Sequence, residues 1–570
     1  MNLLRVWLAA LLLTVAVAGE LRAQNLVDPG ADLLREQQRQ RSERELERAR
    51  PGRSVTTKVE QPVEREKVCF PIATIRLQGV TAVKSADLVE VLTPFKDTCM
   101  GEKAIARLIA KLTSVYVEAG FITTRVYVPQ QDLKSKVLVL NVLEGRIEAF
   151  VYRTVDEAGV ITAGKPRKIT TAFPITAGDI FQLRAIEQGL DQINRLQSSQ
   201  ATVDLLPGSK PGMSVVVITE RKVDTVRGFV TYDNNGSEET GRHRVKVSVE
   251  ADDLFFVNDT ASLTYAGTEN SNVLAYNASV PYGNWTFSSY GSYSESVDDL
   301  TSLSVLFSQT ASSTVQAEYM LHRNSRAKYW GYGAAGVYWN KRHVNVSQLT
   351  PQTRTTVRAG FKQEHHFERG VLSVDTAVTL GVPMFGADTD RGVLADDVPR
   401  AKFAKLDVSA SYLHRFENGS RLISSLNGQF ASDPLYSNEQ LTIGGWDSVR
   451  GYQGTSVSGE DGVLLRNDYY LATFEHWSDL SKAFGFPHEK QSLIGAYVSG
   501  YLQPYVFADI GHVHDKATDT NSTLAGFGGG VRYTADRLSV NAAIAVPILE
   551  KGEADAGSLE GLINVTFKMF

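Results

Sequence analysis

One cation stands apart in the C-terminal half of the chain: Arg450, in Gly444-Gly445-Trp446-Asp447-Ser448-Val449-Arg450-Gly451-Tyr452. Glycines and small residues around it suit a loop tip folded back on other backbone, where the guanidinium must meet a fixed carboxylate. The first candidate is Asp509, about sixty residues on in Phe507-Ala508-Asp509-Ile510-Gly511. That is ion-pair chemistry, not bond-making. No P-loop, paired-carboxylate site or nucleophile elbow is evident, so neither an enzyme nor a cofactor is expected. Of the ten histidines only His365-His366 and His512-Val513-His514 cluster. His512 and His514 would share one strand face, but no third ligand accompanies them and no metal site is expected. The two cysteines, Cys69 and Cys99, have no histidine beside them.

The elements that must position Arg450 follow from the whole chain. At 570 residues it exceeds one ordinary core, and a net charge of −5 gives no reason to invoke nucleic acid. Met1-Asn2-Leu3-Leu4-Arg5, an apolar run from Val6 to Gly19 and Leu21-Arg22-Ala23 read as a signal peptide over residues 1–23. No other stretch approaches the roughly 20 apolar residues of a membrane helix, so only a closed barrel could cross a bilayer. In an exported chain Cys69 and Cys99 favour a local disulfide, worth roughly 3 kcal/mol, over two buried thiols.

Within residues 24–50 the run from Asp28 to about Arg50 is nearly all charged or amide; with Asp28-Pro29 as a start and Pro51-Gly52 as a stop it predicts one helix of about five turns. Leu33, Leu34, Leu46 and Ala49 are too few for a docking stripe, so this helix should be solvated, in bulk water or in a wet channel. Residues 51–67 read as a linker. Two α+β modules follow, at 68–146 and 147–222. In the first, the pattern predicts strand Ile72–Leu77, helices Ser85–Leu92 and Gly101–Ala119, and strands Thr123–Val128 and Lys136–Val142. Ile105, Leu108, Ile109, Leu112 and Tyr116 form the apolar face of the longer helix. The second repeats this plan around a helix Phe181–Arg195.

Beyond residue 223 the helical period is lost. Arg244–Glu250 and Lys405–Tyr412 alternate polar with apolar residues without a fault. At about 20 residues per strand and loop, residues 223–570 predict about sixteen strands of a transmembrane antiparallel β-barrel. A soluble β-sandwich would need more continuously apolar strands. The final segment, Ile563 to Phe570, ends in a phenylalanine that looks like the assembly signal of outer-membrane barrels.

This order of parts resembles the TpsB transporters of two-partner secretion, relatives of the barrel-assembly insertases. Cys69-Phe70-Pro71-Ile72 with Cys99 is similar to the opening of that family's first POTRA domain, disulfide included. Asp233-Asn234-Asn235-Gly236 with Thr240-Gly241 and Arg244 resembles its first barrel hairpin. Val449-Arg450-Gly451-Tyr452 resembles the signature of its sixth extracellular loop. Asp461-Gly462 and Leu465-Arg466-Asn467-Asp468 resemble the segment after it, with Asp468 where a glutamate is more usual. Phe507, Asp509 and Gly511 match its inward-facing barrel-wall motif.

The resemblance implies a bacterial outer-membrane protein with both POTRA domains in the periplasm. It implies that Arg450 pairs with Asp509 in the lumen and that the polar helix plugs the pore at rest. The implied partners are a cognate secreted exoprotein (TpsA-like, a large adhesin or a haemolysin), outer-membrane lipid, and the barrel-assembly machinery during biogenesis. The client would be captured unfolded by the POTRA domains and would cross without ATP. The alternatives are a barrel-assembly insertase of the same superfamily and a passive porin. Two modules and a polar helix favour the exporter.

Overall fold

The computed structural model describes residues 28–48, 68–156, 158–237, 240–301, 303–390, 395, 397–453, 455–473, 500–552 and 555–570. The expected signal peptide and linker lie outside the described residues, as do both ends of the polar segment.

The polar segment is one helix, α1 (Pro29–Arg48), whose first turn is capped by Asp28 accepting the Gly30 N–H at 3.0 Å. The first module follows. The single strand expected at Ile72–Leu77 is two: Phe70–Ile72 pairs with Thr98–Met100, while Thr74–Gln78 lies parallel to Val137–Leu143. Ala73 is the break, and its N–H is taken by the Lys136 carbonyl at 2.9 Å. The outer pair sets Pro71 opposite Cys99, and Cys69 and Cys99 form the disulfide with Cα atoms 5.4 Å apart. Helices α2 (Ser85–Leu92) and α3 (Glu102–Glu118) cover the sheet. Leu108, Leu112 and Tyr116 of α3 are fully buried against Leu138, Leu140 and Val142; Ile105 and Ile109 are half-buried at the margin.

The second module supplies the first helix of the repeated plan as α4 (Pro166–Ala172), a short helix started by proline, and adds an edge strand, Ile161–Ala163, that the sequence pattern did not reveal. With strands Arg146–Val155, Met213–Lys222 and Ser199–Pro207, that edge makes a four-stranded sheet packed on α5 (Leu183–Asn194).

The barrel is a closed antiparallel ring of sixteen strands from Val226–Asp233 to Glu560–Lys568, with the two-residue piece Ser347–Gln348 paired beside it. The period-two pattern sorts its wall: Arg244, Lys246, Ser248 and Glu250 line the internal cavity, while Val245, Val247 and Val249 are exposed outside. First and last strands meet over five residue pairs only, Phe229↔Lys568 to Asp233↔Asn564. The last strand ends at Lys568, short of the expected terminus. Beyond it, Phe570 accepts the Gly228 N–H at 3.2 Å and its ring lies over that glycine.

The second module sits under the barrel's short turns. The Gly283 N–H donates to the Thr171 carbonyl at 2.8 Å, and Asp191 of α5 pairs with Arg323 at 2.7 Å and Lys328 at 3.0 Å. Burial works against the charge of Asp191, yet Lys328 and Arg323 hold its carboxyl below the usual carboxylate range. The sixth loop, residues 432–460, lies at the opposite end.

Candidate functional site: the lumenal loop and its carboxylates

The strand Gly500–Asp515 alternates strictly. Tyr505, Phe507, Asp509, Gly511 and Val513 are buried inward; Val506, Ile510 and His512 are exposed outward. A carboxylate is therefore fixed on the lumenal wall by the pleat of a central strand. The sixth loop, residues 432–460, turns inward onto that wall through a small hairpin, Leu441–Ile443 with Val457–Gly459.

At its tip Arg450 grips Asp509 with both arms of its fork: Nε donates to Oδ2 at 2.7 Å and Nη2 to Oδ1 at 2.8 Å. The Arg450 backbone N–H adds a 3.2 Å bond to the same carboxylate, and Nη1 donates to Asp468 at 2.7 Å. The guanidinium carbon lies 3.7 Å from the centre of the Phe507 ring, a cation–π contact. Arg450 is 2% exposed and Asp509 3%. Two carboxylates would outweigh one cation; Arg466, directly opposite Asp509 in the strand register and itself buried, restores the balance.

The neighbours of Arg450 are fitted to the wall. Val449 and Tyr452, both without exposed surface, pack with Ile443, Leu464, Val513 and Leu524. The Tyr452 hydroxyl lies 2.9 and 2.8 Å from the carbonyl oxygens of Ala525 and Leu549. Gly451 has φ +99°, where a side chain would be strained. Gly511 leaves the space that Val449 and Ile443 fill; a Cβ there would sit 3.1 and 3.0 Å from them. At the base of the loop Glu460, fully buried, accepts the N–H groups of Leu435 at 3.0 Å and Lys516 at 2.7 Å.

Helix α1 lies across the lumen beside this loop. Its Asp28 end touches Ser294 and Tyr338 on the loop side; its Glu47 end meets Arg415 and Arg421 on the side of the second module. Contrary to the expectation of an undocked helix, Leu33 is buried against Ala266, Val273 and Ala275, and Leu46 against Tyr470, Tyr505 and Phe507. The wall offers small apolar patches at two points, so a stripe is unnecessary. Between them Glu36 accepts from Arg244 at 2.8 Å and Lys246 at 2.6 Å, cations that Asp233 also holds. Arg39 pairs with Asp447 of the loop tip. Around the helix runs a cavity of about 2860 Å³ that reaches α5. At the end of α5, burial and the like charge of Arg41 on α1 pull Arg195 down to about 10.

The structure thus brings Val449, Arg450, Gly451, Tyr452, Phe507, Asp509 and Gly511 into one assembly, and places Cys69–Cys99 and Phe570 far from it. Sequence reasoning did not assign Glu36, Arg39, Asp447, Glu460 or Asp468 to this site. Two of these carried a signal: Asp447 lies inside the stretch around Arg450, and Asp468 in a segment of familiar pattern. His512 donates to or accepts from Thr523 at 2.8 Å on the outer face, and among the described residues no group of metal-ligating side chains converges.

A sixteen-strand barrel with an inward-folded loop and two α+β modules at one end defines an outer-membrane transporter. The family model described as haemolysin secretion/activation protein ShlB/FhaC/HecB matches residues 212–533, more than half of the chain, and two POTRA models match 70–145 and 146–207. The chain belongs to this family, the TpsB transporters of two-partner secretion in the bacterial outer membrane. It is 29% identical over 519 residues to the outer membrane transporter CdiB of Dickeya dadantii, covering 88% of each chain. It is also 29% identical to the hemolysin transporter protein HpmB of Proteus mirabilis, over 72% of this chain and 74% of that one. The solved structure of CdiB from Escherichia coli superposes with a TM-score of 0.84 at 25% identity, over 95% and 99% of the two chains.

Proposed function

We propose that this transporter carries one unfolded exoprotein, a large adhesin or a haemolysin, from its POTRA domains through the barrel lumen to the surface without ATP. The supporting observation is the cavity of about 2860 Å³, which runs past α1 from α5 of the second POTRA domain into the barrel. A chain entering there would displace α1, whose hold is mostly ionic and faces water. The names of relatives such as HpmB support a haemolysin-type client. Edge strands of the POTRA sheets, Thr74–Gln78 and Ser199–Pro207 among them, offer backbone hydrogen bonds that capture an extended client without demanding one sequence.

In this reading α1 is the resting plug, Arg450 with Asp509 is the lock that keeps the sixth loop inside, and Phe570 is the signal read by the barrel-assembly machinery. The short seam of five residue pairs favours a second reading, an insertase that opens its wall to assemble other barrels. Deleting the gene separates them. Loss of one large surface protein with other barrels intact is the expected result; collapse of barrel assembly in general would overturn the exporter.

A further inference from the structure

The turn after the second barrel strand, Asp253-Leu254-Phe255-Phe256-Val257-Asn258-Asp259, has two contrasting faces. Toward the second POTRA domain it is bolted down. Lys168, 2% exposed, holds Glu220 at 2.8 Å and Asp253 at 3.2 Å, Lys222 reaches Asp253 at 2.8 Å, and Asn258 donates to the Lys168 carbonyl at 2.9 Å. Away from it, Leu254, Phe255 and Phe256 stand exposed, Phe255 at 67%.

The backbone works to keep them there. Asp253, Phe256 and Asn258 all have positive φ, +59°, +56° and +58°. For a bulky aromatic this region is strained, and it persists only where the surroundings impose it. Asp259 supplies that constraint, accepting the N–H groups of Leu254 at 3.1 Å and Phe255 at 3.0 Å. A rigid turn that presents three large apolar side chains to water has left a substantial hydrophobic gain unrealised.

The outer face of the barrel indicates what covers them. Val245, Val247 and Val249 on the preceding strand, and Leu263 and Tyr265 on the following one, are exposed and outward, so the apolar band runs down to this turn. None of Leu254, Phe255 and Phe256 lines the cavity proposed above as the route of a client. Lys165, 5.2 Å from the centre of the Phe256 ring, sets a cation beside the aromatic tip, the combination that suits a bilayer interface.

We propose that this turn is a membrane anchor. Leu254, Phe255 and Phe256 enter the periplasmic leaflet with Lys165 at the lipid phosphates, and because Asp253 and Asn258 grip the POTRA domain, the anchor fixes that domain's tilt to the bilayer. This holds whichever client is carried. The full chain has no free cysteine, so Phe255→Cys introduces a single thiol for a fluorescent label. Reconstituted in phosphatidylethanolamine–phosphatidylglycerol vesicles with headgroup-proximal doxyl lipids, the label should be quenched several-fold more than at Val89→Cys, on the exposed face of α2. The quenching should be comparable to that at the lipid-facing Leu263→Cys. Leu254→Cys should repeat the result independently. Quenching at both turn positions no stronger than at Val89→Cys, with full access to aqueous iodide, overturns the anchor and leaves the turn to a soluble partner.

Discussion

The lumen holds two ionic attachments that differ in kind. At the sixth loop, one arginine is enclosed: two carboxylates, the Phe507 ring and a cluster of Val449, Tyr452, Ile443 and Leu464 leave it 2% exposed. At α1 the ions are spread along a helix with water on its open side. Glu36 is buried, but Arg39, Arg41, Glu43 and Glu45 are a quarter to a half exposed. Opening the first attachment strands a charge in a dry site; opening the second returns charges to solvent. The two attachments, built from the same residue types, therefore differ in how costly they are to open.

The strongest way to break this contrast is at Arg450. Arg450→Asp leaves Asp509 and Asp468 facing a third carboxylate and should cost about 3–5 kcal/mol locally, abolishing secretion. The double change Arg450→Asp with Asp509→Arg should restore part of it, as read by exoprotein in the medium. A double variant as inactive as either single one removes the lock.

Deleting residues 28–48 comes next. Asp233 still holds Arg244 and Lys246, so the barrel should remain folded and heat-modifiable on gels while single-channel conductance in planar bilayers rises several-fold. Unchanged conductance dismisses α1 as a plug.

A finer contrast comes from Arg39→Ala, which cuts the tie between helix and loop tip and, within the helix, the Arg39–Glu43 pair at 2.9 Å. Each of these partly exposed pairs is worth about 1 kcal/mol or less, so conductance should fluctuate between plugged and open levels without a lasting change. Permanent opening would mean that the loop, rather than the lumenal wall, holds the helix.

The smallest effect concerns acid. Asp191 has its folded pKa depressed, so its contribution is present at neutral pH, above the ordinary aspartate value, and is lost as pH falls through the lower folded value. The second POTRA domain should loosen from Arg323 and Lys328 only below about pH 4, seen as faster proteolysis of α5. Asp191 remains nearly half exposed, so the change should be slight.

Much of this was readable in the residues. Strict alternation marked the wall, and the spacing of Leu108, Leu112 and Tyr116 marked the face of α3. Arg450 and Asp509 were identifiable because glycine-rich and alternating surroundings leave few reasons for a lone charge. Glu36 was not, since in a run of some twenty polar residues no spacing distinguishes the one glutamate that meets two cations. Leu33 and Leu46 misled for a related reason: docking on a concave wall needs isolated points, whereas periodicity detects stripes. Ala73 split a strand because its N–H turns to Lys136, a tertiary choice that alternation does not record.

The loop's contacts also imply a chronology. Arg450 meets residues 18 and 59 positions away, Tyr452 reaches 73 and 97 positions ahead, and Gln453 reaches Glu560, 107 ahead. All lie in the last five strands except Leu549, which is in the loop between the last two. Helix α1 reaches back across the whole ring, with Arg39 and Asp447 408 residues apart. Nearby partners find one another first because shorter loops cost less entropy to close. The C-terminal quarter, residues 432–570, can thus assemble around its arginine as a preformed sector, onto which the remaining wall is added. By the same measure α1, whose partners Arg244 and Asp447 lie 208 and 408 residues along the chain, closes the longest loop of all.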